Sequence, residues 1–355
     1  MQMKTSERQA PRILISRLSA IGDCILTMPL ACALRDAFPN AWIGWLVEKT
    51  ASPLLKGHPA LDEVIIAPKH VLQKPRELWN FSGTLKSLRV DITLDPQGLL
   101  KSSTLAWLTG AKRRIGFKPP IGREGSAWMN NELVKCQSAH VVDRYRELLG
   151  ALGIQPGAVR FDIPRPVQNM KSIAAWLASQ HLDHKPIAVL NPGAGWDSKL
   201  WPAERYAGVS RYLEAEYDLR SVAIWADERE REWAKLIVEK SGGAAVLAPY
   251  TSLPDLAALL RRTTIYVGSD SGPLHLAVAV GCPSVGIYGS TDPLECGPYG
   301  PGNQAVQAYL QEGTCRERRT GPNLAMQAVT VEAVNAACSA ILSKHTSPRK
   351  RPVAA

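Results

Sequence analysis

Two doubly wound α/β domains joined by a short linker are the architecture this sequence predicts, and three features point to it. Short runs that are apolar at nearly every position recur along the chain, separated by helix-patterned segments. Such runs read as strands of a parallel sheet covered on both faces, because a half-exposed strand alternates apolar and polar residues. The rhythm pauses once, at 153–169 (GIQPGAVRFDIPRPVQN), where Pro156, Pro164 and Pro166 gather with Gly153 and Gly157, and then restarts. At 355 residues the chain also exceeds an ordinary single domain.

In the first half the strands are expected at 12–16 (RILIS), 42–48 (WIGWLVE), 63–67 (EVIIA), 91–95 (DITLD) and 113–117 (RRIGF). Helices are expected at 23–37, 50–57, 75–88, 99–109 and 141–152. The first of these stops at DAFPNA (36–41), where Pro39 and Asn40 break it. In the second half the strands are expected at 186–190, 220–225, 244–248, 264–268 and 284–289. Helices follow near 170–181, 202–217, 228–241, 253–261, 273–281 and 330–343. The domains are therefore set at 12–153 and 170–343, with 154–169 as linker and with 1–11 and 344–355 (KHTSPRKRPVAA) as disordered tails. Ligands in open α/β sheets sit beyond the carboxyl ends of strands, which here predicts a cleft between two facing domains.

Composition narrows the function classes. The formal net charge is +10, from 42 Lys and Arg against 32 Asp and Glu. Such a balance suits an anionic partner or simply a soluble surface. No basic cluster accompanies a nucleic-acid module, so no nucleic-acid partner is expected. The seven cysteines are odd in number and none has CxxC spacing, which speaks against a disulfide framework or a zinc site and for a reducing cytoplasm. No apolar run reaches the ~18–20 residues of a membrane span. CILTMPLACAL (24–34) imitates a signal-peptide core, but Arg17 and Asp23 interrupt the segment and a strand precedes it.

Four strand-ending loops carry the candidate chemistry. SRLSAIGD (16–23) has the strand–turn–helix layout of a phosphate loop, yet it holds one glycine, Gly22, and an acid, Asp23. That acid either caps the helix or does chemistry. DPQGLLKS (95–102) turns at Gly98 and places Lys101 in a first helical turn, solvated or facing an anionic ligand. NPGAGWDSKLWP (191–202) offers Gly193, Gly195 and Lys199 ahead of a helix opened by Pro202. It is the best phosphate site in the chain, although no Walker loop or GxGxxG is present. VGSDSGPLHLAVAVG (267–281) leads a strand into small polar residues and a helix, so backbone N–H groups at 271–273 would form an anion nest, with His275 in the same turn.

Taken in order, these stretches resemble the ADP-heptose:lipopolysaccharide heptosyltransferases, family nine of the glycosyltransferases. The likeness runs from about residue 12 to 343. It is carried by Ser19 to Asp23 (S-x-x-G-D), Asp95 to Ser102, Asn191 to Pro202, Gly268 to Ala277 (G-x-D-S-G-x-x-H-x-A) and YGSTDP (288–293). It implies the GT-B fold, two Rossmann-like domains facing across a cleft, and inverting transfer of L-glycero-D-manno-heptose from ADP-heptose. The acceptor would be an inner-core sugar of lipopolysaccharide, Kdo or the first heptose. Asp23 matches the family's catalytic base. Lys199, Glu228, Thr251, Asp270, Ser271, Gly272 and His275 fall at donor-binding positions; Ser19, Gly22, Lys101 and Arg123 fall on the acceptor side. In this reading Lys199 and the nest hold the diphosphate, and the first loop lacks a lysine because it faces the attacking hydroxyl.

The resemblance further implies no cofactor beyond the ADP-heptose donor and no metal, since no D-x-D cluster ends a strand. It implies a lipid A–inner core acceptor and a cytoplasmic enzyme that touches the anionic inner membrane leaflet transiently. SPRKRP (347–352) with Lys112, Arg113, Arg114 and Arg123 would make that contact. One departure stands out: Asn130 and Asn131 are neutral where the family often places basic residues for acceptor phosphates, and Arg123 would compensate. The competing readings are another two-domain nucleotide-sugar enzyme, such as an epimerase, and a non-catalytic nucleotide-binding relative. Asp23, Lys199 and His275 together weigh against the second.

Overall fold

The computed structural model describes residues 10–343, and the tail readings for 1–9 and 344–355, SPRKRP included, lie outside them. The chain divides into two compact units between Pro164 and Arg165. Each holds one six-stranded sheet.

In the first unit the strands are β1 (Arg12–Ser16), β2 (Trp42–Glu48), β3 (Glu63–Ala67), β4 (Ile92–Leu94), β5 (Arg113–Phe117) and β6 (Glu132–Val134), in the order β3-β2-β1-β4-β5-β6. All pairs are parallel, and Ile13 sits in register with Ile43 on one side and Ile92 on the other. Ile13, Leu14 and Ile15 are wholly buried, as a strand covered on both faces requires. The helix Ile21–Ala37 is buried along its whole length from Cys24 to Leu34, so its apolar residues have no polar face to alternate with.

The second unit repeats the plan. Its strands are β7 (Ile187–Asn191), β8 (Arg220–Ala223), β9 (Ala245–Leu247), β10 (Ile265–Ser269), β11 (Ser284–Tyr288) and β12 (Gln304–Gln307), in the order β12-β11-β10-β7-β8-β9. In both sheets the first strand lies between the second and the fourth, so the winding direction reverses there. That reversal leaves a crevice beyond the strand ends where ligands collect. It selects the loops after β1 and β4 in one unit and after β7 and β10 in the other.

Several expected elements differ. β6 and β12 escape a search for apolar runs because ELV and QAVQ are short, carry polar residues and have no fully buried residue. The helix expected at 50–57 is a single turn, Ser52–Leu55, closed off by Gly57 at φ +77°. The helix expected at 141–152 is α-helical over Val141–Arg146 and tightens to 3₁₀ turns over Glu147–Leu152. A helix opens at Val167, inside the stretch expected to be linker. Among the described residues no helix is long and apolar enough to cross a membrane.

Candidate functional site

In the first unit the loop after β1 is organised by Arg17, which the sequence reading passed over. Its guanidinium is buried. It donates to the Pro96 carbonyl at 3.0 Å, lies 5.0 Å from the Tyr145 ring centroid and pairs with Asp23 Oδ1 at 2.8 Å. Burial works against the Arg17 charge, but Asp23 and its neighbours outweigh it and hold the guanidinium above its usual range. Asp23 Oδ2 accepts the Ala20 N–H at 3.2 Å, so the capping role is real. The same carboxylate keeps 42% of its side chain exposed, so the cap leaves it open to solvent.

The loop after β4 closes on the first. The Leu18 N–H donates to Gln97 Oε1 at 2.8 Å, and Lys101 Nζ donates to Ser19 Oγ and to Glu48 Oε1, both at 3.0 Å. Gly98 holds φ +62°, and a Cβ there would come within 3.0 Å of the Ile121 carbonyl. The Arg123 N–H donates to the Gly98 carbonyl at 2.8 Å, which brings the 122–126 segment to the site while the Arg123 side chain stays exposed. Asp95 is buried beneath, accepting from Gly98 N and Asn130 Nδ2; burial raises its carboxyl despite those bonds. A cavity of about 330 Å³ opens alongside, lined by Leu18, Glu48, Lys69, His70 and Lys101 among others. Ser19, Asp23 and Lys101 are thus drawn together, with Gly22 in the intervening helical turn. Glu48 and Tyr145 carry no sequence signal, since each lies outside the four loops; Gln97 lies within DPQGLLKS, but nothing local points it at the Leu18 N–H.

The neutral pair Asn130 and Asn131 is engaged within this unit. Asn130 is buried on Asp95, and Asn131 accepts from the Arg114 N–H and donates to the Lys112 carbonyl. Arg113 and Arg114, expected to meet a membrane, are engaged within the unit. Arg113 makes a two-pronged pair with Glu132 at 2.6 and 2.8 Å, and Arg114 donates to the Met129 and Ala111 carbonyls.

In the second unit the loops after β7 and β10 meet at Asp270. Lys199 Nζ lies 2.5 Å from Asp270 Oδ2 and His275 Nε2 lies 3.2 Å from Oδ1, with Thr291 donating to Oδ2 at 2.8 Å. All three of Lys199, Asp270 and His275 have side chains at least 87% buried, their exposures being 13%, 6% and 6%. Burial alone would raise the Asp270 carboxyl; His275 and Lys199 outweigh it and hold it well below the usual carboxylate range. A carboxylate so held fixes the positions of the lysine and the histidine. Asn191 ties the loops together, donating to Ser271 Oγ at 3.2 Å and to the Gly193 carbonyl at 3.1 Å.

The helix Gly272–Ala279 starts at this point, and its first-turn N–H groups are available to an anion. The nest expected at 271–273 loses one donor, because Pro273 has no N–H; Ser271, Gly272 and Leu274 supply the others. Gly193 leaves room for the Glu230 carboxylate, which a Cβ there would push aside. Glu230 itself accepts from the Ala226 N–H and is raised by burial, so the acid nearest the glycine loop is not Glu228. Glu228 is mostly exposed and pairs with Arg231 at 3.1 Å. Thr251 is half-buried just before the helix Leu253–Leu260, whose cap is Ser252. Neither Glu228 nor Thr251 bonds to the Asp270 cluster; they stand at the ends of β8 and β9. Among the described residues no three His, Cys, Asp or Glu side chains form a metal-binding group.

The family model for glycosyltransferase family 9 (heptosyltransferase) matches residues 78–324. Lipopolysaccharide heptosyltransferase 1 of Pseudomonas aeruginosa is 29% identical over 316 residues, 81% of each chain. Its namesake in Escherichia coli K12 is 27% identical over 310 residues, covering 84% of this chain and 93% of that one. Among solved structures, a family 9 glycosyltransferase from Veillonella parvula superposes with a TM-score of 0.77 at 23% identity, covering 96% of this chain and 99% of the other. E. coli heptosyltransferase WaaC with ADP superposes at 0.72 and 24% identity, covering 94% and 98%.

Proposed function

Because the chain belongs to glycosyltransferase family 9, the heptosyltransferase family, we propose that it transfers L-glycero-D-manno-heptose from ADP-heptose to lipopolysaccharide, with Asp23 as general base. Its two doubly wound units are those of the GT-B fold. Several relatives carry the name heptosyltransferase 1, which favours Kdo over the first heptose as acceptor.

The reaction is one in-line displacement. The acceptor hydroxyl attacks the anomeric carbon, the bond from that carbon to the diphosphate oxygen breaks, and the configuration inverts. Asp23 takes the hydroxyl proton while Arg17 fixes the carboxylate's orientation. The cavity beside Lys101 and Glu48, with Ser19 bonded to Lys101, supports seating the acceptor sugar there, and Gly22 and Arg123 complete the acceptor side in this reading. On the second unit Lys199 and the N–H groups of Ser271, Gly272 and Leu274 meet the departing diphosphate, and His275 donates to it or to the sugar. Glu228 and Thr251 then hold the ribose and the adenine. Charge of this kind supports a transfer that needs no divalent cation. The lipid-linked acceptor implies work at the anionic inner face of the inner membrane, reached from the cytoplasm.

The observation that carries this reading is the half-exposed Asp23 carboxylate, ion-paired to a buried arginine at a strand end where the winding reverses. Asp23→Asn is expected to lower turnover by ~10²–10⁴-fold and to leave ADP affinity near normal, in assays run with and without a chelator. Near-normal turnover in that variant would return Asp23 to capping alone. Loss of wild-type turnover with the chelator would overturn the metal-free transfer.

A further inference from the structure

Trp196, in the loop after β7, has two cations against its ring: Lys199 Nζ at 4.3 Å from the centroid and the Arg319 guanidinium carbon at 5.2 Å. The two differ in what else they touch. Lys199 is mostly buried and its charge is balanced by Asp270 at 2.5 Å. Arg319 is exposed, and among the described residues no carboxylate pairs with it. It lies on the short helix Cys315–Thr320, which is fastened to the phosphate loops. The buried Ser198 hydroxyl is 3.3 Å from the Arg319 carbonyl and 3.4 Å from Ser290 Oγ. The acid of that helix, Glu317, is turned away to its own N-terminus, where it accepts the Thr314 N–H at 2.7 Å.

Charge balance then poses a question. A diphosphate brings several negative charges, yet Lys199 and Asp270 largely cancel, and helix N–H groups contribute only about half a charge. One more cation is needed near the leaving group, and the only one sharing a ring with Lys199 among the described residues is Arg319. We infer that Arg319 is a phosphate-binding residue of the donor site, its guanidinium held by Trp196 so that its planar fork meets the diphosphate of the nucleotide sugar. This rests on the nucleotide-sugar reading given above. Stacking on the indole limits the side chain's freedom before the ligand arrives, and arginine's fixed donors suit two phosphate oxygens at once.

The test is calorimetric titration of the full chain with ADP, adenosine and inorganic pyrophosphate. Arg319→Ala is expected to weaken ADP and pyrophosphate about tenfold, the low end for a charged hydrogen bond because the site is open to water, and to leave adenosine unchanged. Arg319→Lys should recover part of the loss. Arg316→Ala, an exposed arginine on the same helix, should match wild type. Unchanged ADP and pyrophosphate affinity in Arg319→Ala would overturn the assignment, as would an equal loss in Arg316→Ala, which would indicate only a general basic surface. A wild-type chain that binds pyrophosphate but no better ADP than UDP or GDP would instead remove the ADP-sugar reading, while the pyrophosphate arm would still decide Arg319. Unchanged melting curves exclude misfolding as the cause.

Discussion

Asp270 is the residue on which the second unit's candidate site turns, and Asp270→Asn isolates its charge. The substitution keeps the shape and leaves Thr291 and His275 a partner, but it strips Lys199 of its counter-charge while that side chain is only 13% exposed. Breaking a buried ion pair by removing one partner costs about 3–5 kcal/mol. A unit of this size loses roughly 2–4 °C of Tm per kcal/mol, so a fall of roughly 6–20 °C is expected in a thermal melt followed by circular dichroism. The acid dependence has a definite sign. The folded-state pKa of Asp270 lies below its unfolded value of about 3.9. The stabilisation is therefore fully present above that value and is lost as pH falls through the folded pKa. The gap between wild type and variant should hold from neutral pH to about 5 and narrow only below about 4. A variant melting within about 2 °C of wild type would refute the buried-pair account. A gap that closes between pH 7 and 5 would place the pH-sensitive charge on a group other than Asp270.

Lys199→Ala should weaken ADP and ADP-sugar binding far more than adenosine binding, by about 1.5–3 kcal/mol or more, since it also leaves Asp270 unpaired beside the phosphates; equal losses for all three ligands in a titration would remove Lys199 from the phosphate site. Co-sedimentation should show the full chain binding anionic vesicles, less so in high salt, each basic residue near the surface being worth ~1 kcal/mol. Deleting SPRKRP should weaken that binding. Arg113→Ala should change it little, because Glu132 already takes up the Arg113 charge. Equal binding to neutral vesicles, or none lost with salt, would sink electrostatic docking and leave the transferase reading intact.

The sequence by itself determined the features that repeat locally. Ten of the strands are legible as apolar runs, the central ones because a strand covered on both faces must be apolar at nearly every position, as Ile13, Leu14 and Ile15 are. The four loops are legible because glycine, proline and small polar residues must follow a strand that turns sharply into a helix. Only the tertiary structure decided what depends on distant residues meeting. β6 and β12 exist because a neighbour offers hydrogen bonds, since their own residues lack the pattern. Arg17 looked like a charge interrupting an apolar segment, and becomes the partner of Asp23 once Pro96 and Tyr145 enclose it. Lys199 and Asp270 are 71 residues apart in sequence. Their separation of charge from water is set by how two loops at adjacent strand ends pack, and no local pattern encodes that.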